Sequence, residues 1–321
     1  MAEPAQHARV LVVGDVNPDL ILRGDVVPRF GQAEQLLDSA TVLIGGSAGI
    51  TAHGLARLGR PVSLLAAVGD DAFGSGQRAE LGAAGVDTDL IVTRADVGTG
   101  LTVVLSRAGD RAILTYPGAI PTLTVADVDQ AIAQRPDVQH VHIASLYLQP
   151  ALVAALPALL ARLRASGHTV SLDTNDDPAG TWLGMSDLLP HVDVLLPNRA
   201  EAVALNHGAC DDPAGAARSL SGFGPLVVVK NGEHGALAVA ADGTELVAPG
   251  VIADLVDSTG AGDTFDAAFL DAWLGGAELI TCLRRAVLAG ALAVSAVGGT
   301  TTQPTPVQLR AADEPAGAER F

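Results

Sequence analysis

Short apolar runs alternate along the chain with Ala- and Leu-rich stretches of helical period. RVLVVGD at 9–15, PVSLLAAVGD at 61–70, HVHIASL at 140–146, TVSLDTN at 169–175, DVLLPN at 193–198 and PLVVVKNG at 225–232 are brief and apolar at most positions. Strands buried on both faces read this way, and helical stretches between them are the mark of βαβ units. An α/β fold with a mostly parallel sheet covered on both sides is expected. ALVAALPALLARLRASG at 151–167 and ELITCLRRAVLAGALAVSAVGG at 278–299 are read as core helices, the second packed closely because it is rich in Ala and Gly. Two excursions leave this rhythm. Residues 19–44 and 99–119 alternate with a period near two, the second around a turn expected at Ala108, Gly109 and Asp110. They are read as one small antiparallel sheet projecting from the main body, suited to a lid that excludes water or to an edge that joins two subunits. With no repeat or linker, one domain over 1–321 is expected, with a frayed tail from about Ala311.

Composition narrows the partners. A chain of 321 residues that is 49% hydrophobic can bury a large core, while 19 basic against 36 acidic residues give a net charge of -17. Such a surface repels phosphate backbones and anionic membranes, so neither nucleic acid nor membrane is expected as a partner. The opening segment lacks an apolar run of signal type, and later apolar stretches are interrupted before membrane-spanning length, which points to a soluble, unexported protein. Cys210 and Cys282 are too few for a disulfide framework and lack metal-site spacing, in keeping with a reducing cytoplasm. Lysine occurs once, at Lys230.

The chemistry concentrates in DSTGAGDTFDAAFLDAWLGG at 257–276. Phe265, Ala268, Phe269, Ala272 and Trp273 fall on one helical face, so a helix starts at the glycine run. Gly260, Ala261 and Gly262 carry little or no side chain, and their amides, with the helix dipole, can hold an anion closely. Asp263 stands at the rim of that cradle. A carboxylate there suits phosphoryl transfer, where amides grip the γ-phosphate and the carboxylate takes the proton of an attacking hydroxyl. The alternative is ordinary capping of the helix by Asp263.

DSTGAGDTF closely resembles the C-terminal signature of the ribokinase-like, or PfkB-type, carbohydrate kinases, and GGSAGITAHGLARLG at 45–59 resembles their N-terminal one. GDVNPDL at 14–20, VGDDAFG at 68–74, TGLTVVL at 99–105, Asn198 with Glu201, and the stretch from Lys230 to Gly235 also match, in the family's order. The resemblance implies a three-layer α/β/α sandwich with a β lid, transferring the γ-phosphate of ATP to an alcohol with Mg²⁺ as cofactor. By position, Asp263 would be the base and Gly260, Ala261 and Gly262 the anion hole. Asn17 and Asp19 would hold acceptor hydroxyls beside Gly45 and Gly46, and Asp19 can accept two hydroxyl hydrogens, as a vicinal diol offers. The bland reading of that stretch is a strand-end turn with an Asx cap. Asn198 and Glu201 would organise Mg²⁺ and phosphate, commonly through water, although NxxE is also a capping box. Lys230, Gly232 and Gly235 would lie at the nucleotide loop, although a lysine ending a strand is ordinarily solvent-facing. Asp257, the backbone of Thr259, and carbonyls near Ala293 and Gly298 match the family's monovalent cation site, K⁺ being the candidate ion; Asp257 can equally be a turn residue.

The sequence also departs from the family pattern. Ile50 stands where an asparagine is usual, which argues for an acceptor with fewer hydroxyls on that side or another pose. His53, one turn on, is either a replacement contact or structural. Ser47 occupies the place of the lysine seen in kinases of sugar phosphates, favouring a neutral acceptor, although Arg107 and Arg111 of the lid could meet a phosphate. His140 and His142 alternate on one strand without a third zinc ligand, and Asp173, Asn175, Asp176 and Asp177 line either the phosphate side of the cleft or a plain polar loop. The leading reading is a kinase of a small neutral sugar; a nucleoside kinase and a non-catalytic ligand-binding regulator are the alternatives. A Rossmann dehydrogenase is set aside because the first strand runs into GDVNPD and not GxGxxG. Pairing of two subunits through the lid is a further expectation.

Overall fold

The computed structural model describes residues 8–107 and 110–313. Its strands are β1 (Arg9–Val13), β2 (Asn17–Arg23), β3 (Ser39–Gly45), β4 (Val62–Leu65), β5 (Ala67–Gly69), β6 (Val92–Arg94), β7 (Leu101–Arg107), β8 (Asp110–Tyr116), β9 (Val138–Ile143), β10 (Thr169–Leu172), β11 (Val194–Leu195), β12 (Leu226–Lys230), β13 (Ala236–Val239) and β14 (Glu245–Ala248). Eight of them form one sheet in the order β14-β13-β12-β11-β10-β9-β1-β4, parallel from β4 to β12 and antiparallel at the β13 and β14 edge.

The all-apolar strands are explained by two cores. Leu11 and Val13 of β1 point into one, built on helices Val125–Gln134 and Leu156–Ala165; Val10 and Val12 point into the other, built on helices Ser47–Arg57, Ala261–Leu274 and Leu279–Ala293. Successive residues of a strand face opposite sides, so a strand covered on both sides has no polar position to spare. Full burial of each Leu or Val contributes about 1.5–3 kcal/mol, and Phe269, Leu11 and Leu64 are among the largest side chains with none of their surface exposed.

The lid is a second sheet, order β3-β2-β7-β8. It consists of two antiparallel hairpins, β2 with β3 and β7 with β8, as the period-two pattern implies. The pair that joins them, β2 with β7, runs parallel, because both strands climb from the same end of the main sheet and the long segment between them supplies the crossover that a parallel pair needs. The expected turn residues Ala108 and Gly109 lie outside the described residues; Arg107 pairs with Asp110 across them.

Three boundaries differ from the sequence reading. The 151–167 helix is two, Pro150–Val153 and Leu156–Ala165, because Pro157 cannot donate into a continuing helix and instead opens the second. Helix Leu279–Ala293 stops short of 299, and the remainder turns back towards Asp257, whose amide donates to Val294 O. The frayed tail was expected from Ala311, yet Arg310–Asp313 make a 3-10 turn anchored by Arg285 on Asp313 at 2.6 Å; the rest of that tail lies outside the described residues.

Candidate active site

Strands β1, β9, β10 and β12 all end at one rim of the sheet, and the lid folds over that rim, leaving a cleft of about 200 Å³. Asn17 and Asp19 begin β2 directly after β1, which carries them from the sheet into the lid at the cleft wall. The Asn17 amide nitrogen donates to Asp19 Oδ1 at 3.1 Å and to Thr102 Oγ1 on the neighbouring lid strand at 3.0 Å. Burial, and next the charge of Asp15, push the Asp19 carboxyl up to about 7. Gly45 is required here by space: a Cβ would stand 2.0 Å from Asp19 Oδ1. Gly46, with φ of 78°, is the left-handed residue that turns the lid into helix Ser47–Arg57. Ile50, one turn into that helix, lines the cleft, with Val104 and Ile113 of the lid also on its wall.

Across the cleft, helix Ala261–Leu274 starts from Gly260, held at φ 69° with no room for a side chain, since a Cβ would stand 2.4 Å from Gly299 Cα. No side chain caps this helix. Asp263 therefore does not serve as its own helix's cap, and the first-turn amides, which have no partner within a helix, are available to an anion. Asp263 is buried at the cleft floor and accepts a hydrogen bond from the Ser47 hydroxyl on its Oδ1. Burial, and next the charge of Asp173, push its carboxyl up to about 7.

Beneath that helix start Lys230 and Asp173, each a candidate from the sequence, meet Asp266, which the sequence reading missed. Lys230 is not solvent-facing: its side chain is only 11% exposed, and its Nζ donates to Asp173 Oδ2 at 2.8 Å and Asp266 Oδ2 at 3.1 Å. Burial opposes its charge, but Asp173, Asp266 and Glu201 outweigh that and hold the ammonium well above its ordinary range. Burial likewise opposes ionisation of Asp173, and Lys230 overcomes it. Asp266 is driven upward, first by burial, and its Oδ1 has no hydrogen-bond partner.

At the start of helix Arg199–Leu205, Asn198 and Glu201 form a complete capping box: Asn198 Oδ1 accepts from the Glu201 amide at 3.0 Å and Glu201 Oε2 from the Asn198 amide at 2.8 Å. Burial, and next Asp173, bring Glu201 to about 7. Gly232 and Gly235 bracket a 3-10 turn after β12 with φ of 58° and 85°. Asp257 makes an Asx turn, accepting from the Thr259 amide at 3.0 Å, and also ties in the distant Gly298 amide at 3.0 Å. Burial opposes its ionisation, but those amides and the Thr259 hydroxyl hold it below the usual carboxylate value. Arg111 of the lid donates to Thr259 Oγ1 at 3.0 Å and lies 3.7 Å from Asp257.

The remaining candidates sort cleanly. His53 meets Gln303 at 2.5 Å and does not line the cleft. His140 and His142 share the Ser171 hydroxyl inside the sheet, and no metal-binding cluster of His, Cys, Asp or Glu occurs among the described residues. Asp177 caps its own loop through the amides of Ala179, Thr181 and Trp182, whereas Asn175 lines the cleft and accepts from the Ser145 amide at 2.8 Å. Asp15 was also missed; it lines the cleft and accepts from the Ala48 amide at 3.1 Å, and burial raises its pKa. Its signal was a carboxylate in GDVNPDL with no surface role.

An uncapped helix start beside a carboxylate, sharing one cleft with Asn17 and Asp19, is an arrangement that suits a phosphotransferase with an alcohol acceptor. The chain belongs to the pfkB family of carbohydrate kinases, whose pattern matches residues 7–306, and it is an ATP-dependent sugar kinase. It is similar to a ribokinase of Schizosaccharomyces pombe, 30% identical over 94% of this chain and 96% of that one. An ATP-dependent ribose-1-phosphate kinase of Halopiger xanaduensis is 32% identical over 90% and 93% of the two chains. Among solved structures, Arabidopsis thaliana ribokinase complexed with ribose and ATP superimposes with a TM-score of 0.83, at 24% identity over 95% of this chain and 98% of that one.

Proposed function

We propose that this kinase phosphorylates a small neutral sugar, with Asp263 as the base. Support comes chiefly from one juxtaposition: the Asp263 carboxylate and the uncapped helix start at Gly260 open on the same cleft as Asn17 and Asp19. Asp19 and the Asn17 amide would fix a pair of acceptor hydroxyls. Ser47 occupies Oδ1 of Asp263, so Oδ2 is the atom left to receive the proton. As it does, the hydroxyl oxygen bonds to the γ-phosphorus, the bond to the β-phosphate oxygen breaks, and the amides of Gly260, Ala261 and Gly262 take up charge on the moving group. Neutrality of the acceptor is supported by Asp15, Asp19 and Asp263 on the cleft wall against Arg111, whose charge already lies beside Asp257. Ile50 gives that wall an apolar face.

The nucleotide would lie over Asn198, Glu201, Gly232 and Gly235, with Lys230 below. Both Glu201 oxygens are engaged with Asn198, which fits Mg²⁺ held through water. When bound, the ion would offset the phosphate charge that a chain of net charge -17 cannot. K⁺ would lie at Asp257 and the Thr259 backbone; turnover in K⁺ against tetramethylammonium tests this. The outer lid face exposes Val42, Leu114 and Tyr116, with Phe30 and Leu36 at its tip, and supports a homodimer through the lid. No described helix is long and apolar enough to cross a membrane.

Transfer of labelled γ-phosphate from ATP to a panel of pentoses, hexoses, sugar acids, sugar phosphates and nucleosides tests the acceptor. Turnover confined to neutral sugars is the expected result; turnover confined to nucleosides or sugar phosphates overturns it.

A further inference from the structure

Lys230 ends β12 directly beneath the anion cradle: a Cβ added to Gly262 would stand 3.5 Å from its Nζ. Two of its three donors are committed, to Asp173 at the end of β10 and to Asp266, one turn beyond Asp263 on the same helix. Glu201, from helix Arg199–Leu205, adds a third negative charge facing it, and His142 of β9 feels both Lys230 and Asp173. This ammonium is the only lysine in the chain. Around Asp263 the other titratable neighbours are acidic: Asp15 after β1, Asp19 of β2, Asp173 and Asp266, with the neutral Ser47 hydroxyl on Oδ1.

We propose that Lys230 is a positioning residue, the largely buried counter-ion that offsets the carboxylates packed around Asp263, and does not itself bind the nucleotide. The inference rests on Asp263 being the base and deepens that reading. A buried carboxylate ringed by like charges resists ionisation, and a base must be ionised to accept a proton. Lys230 answers Asp173, the charge that raises the Asp263 carboxyl most after burial itself, and lends a positive field to the cradle from below. Its geometry serves both because β12 delivers it between the end of β10 and the start of helix Ala261–Leu274.

The test is the pH profile of kcat/KM. Lys230→Met is expected to move the acid limb upward by about one pH unit, the size of a unit charge lost at this range in a partly screened interior, with KM for ATP unchanged. Lys230→Arg, which keeps the charge, is expected to restore the limb. Because Lys230→Met leaves buried carboxylates unpaired and can prevent folding, the pair is also removed together: Lys230→Met/Asp173→Asn is expected to fold and to keep the limb at its original pH. A limb that stays in place in a folded Lys230→Met, or a KM for ATP raised tenfold in either variant, overturns the proposal. Failure of the base assignment itself is distinguishable, since Asp263→Asn would then retain turnover whatever Lys230 does.

Discussion

At the scale of single residues, the site pits two requirements against each other: carboxylates must be buried to be reached only by substrate, and they must still ionise. Asp263 is held near 7 by burial, next by Asp173, so its base form is depleted below that pH. The kcat/KM profile is therefore expected to climb about tenfold per unit of pH in the acid range and level off above about 7. A flat profile from pH 5 to 8, measured under subsaturating sugar, is the contrary result. Gly45→Ala would thrust a methyl onto Asp19, 2.0 Å from Oδ1. If Asp19 holds the acceptor as proposed, the expected outcome is a KM for the acceptor raised about tenfold or more, with KM for ATP unaltered. Asp263, Asn17 and Asp19 were legible in sequence because small residues and a carboxylate at fixed spacing leave few structural uses. Lys230 with Asp173 and Asp266 was not, because those residues lie on three separate elements and meet only through the order of the sheet.

Elements decide how those residues meet. Helix Ala261–Leu274 begins from a residue in the left-handed region packed against Gly299, so Gly260→Ala meets both backbone strain and a clash. A stability loss of about 2 kcal/mol or more is expected in denaturant unfolding, with the anion cradle displaced. The lid is latched at its inner face by Arg111 on Thr259, in the segment leading to that helix. Arg111→Ala is expected to raise the acceptor KM about tenfold, the scale of one charge-assisted hydrogen bond, and to increase ATP hydrolysis without sugar as water enters. The period-two pattern revealed both hairpins, but not the parallel pairing of β2 with β7, because register across a long crossover leaves no local trace in the sequence.

For the whole molecule, the six apolar runs read as strands all belong to the parallel sheet or its immediate continuation, since burial on two faces leaves a strong mark. The same burial makes stability depend on pH. Burial pushes His140 down to about 3 and His142 down to about 4, against about 6.5 when unfolded. Between those limits the unfolded chain binds more protons than the folded one, so each histidine costs stability as pH falls from about 6.5 towards 4. The raised carboxyls of Asp19, Asp263 and Glu201 work in the opposite direction over the same range. Relative to wild type, His142→Asn is expected to gain on the order of 3 kcal/mol between pH 7 and 4, read from urea unfolding. The decisive measurement remains single-turnover phosphate transfer by Asp263→Asn. As the base, Asp263 requires a rate lowered by about 10²–10⁴ with both substrates still bound at near-normal affinity; a rate within a few fold of wild type would contradict it.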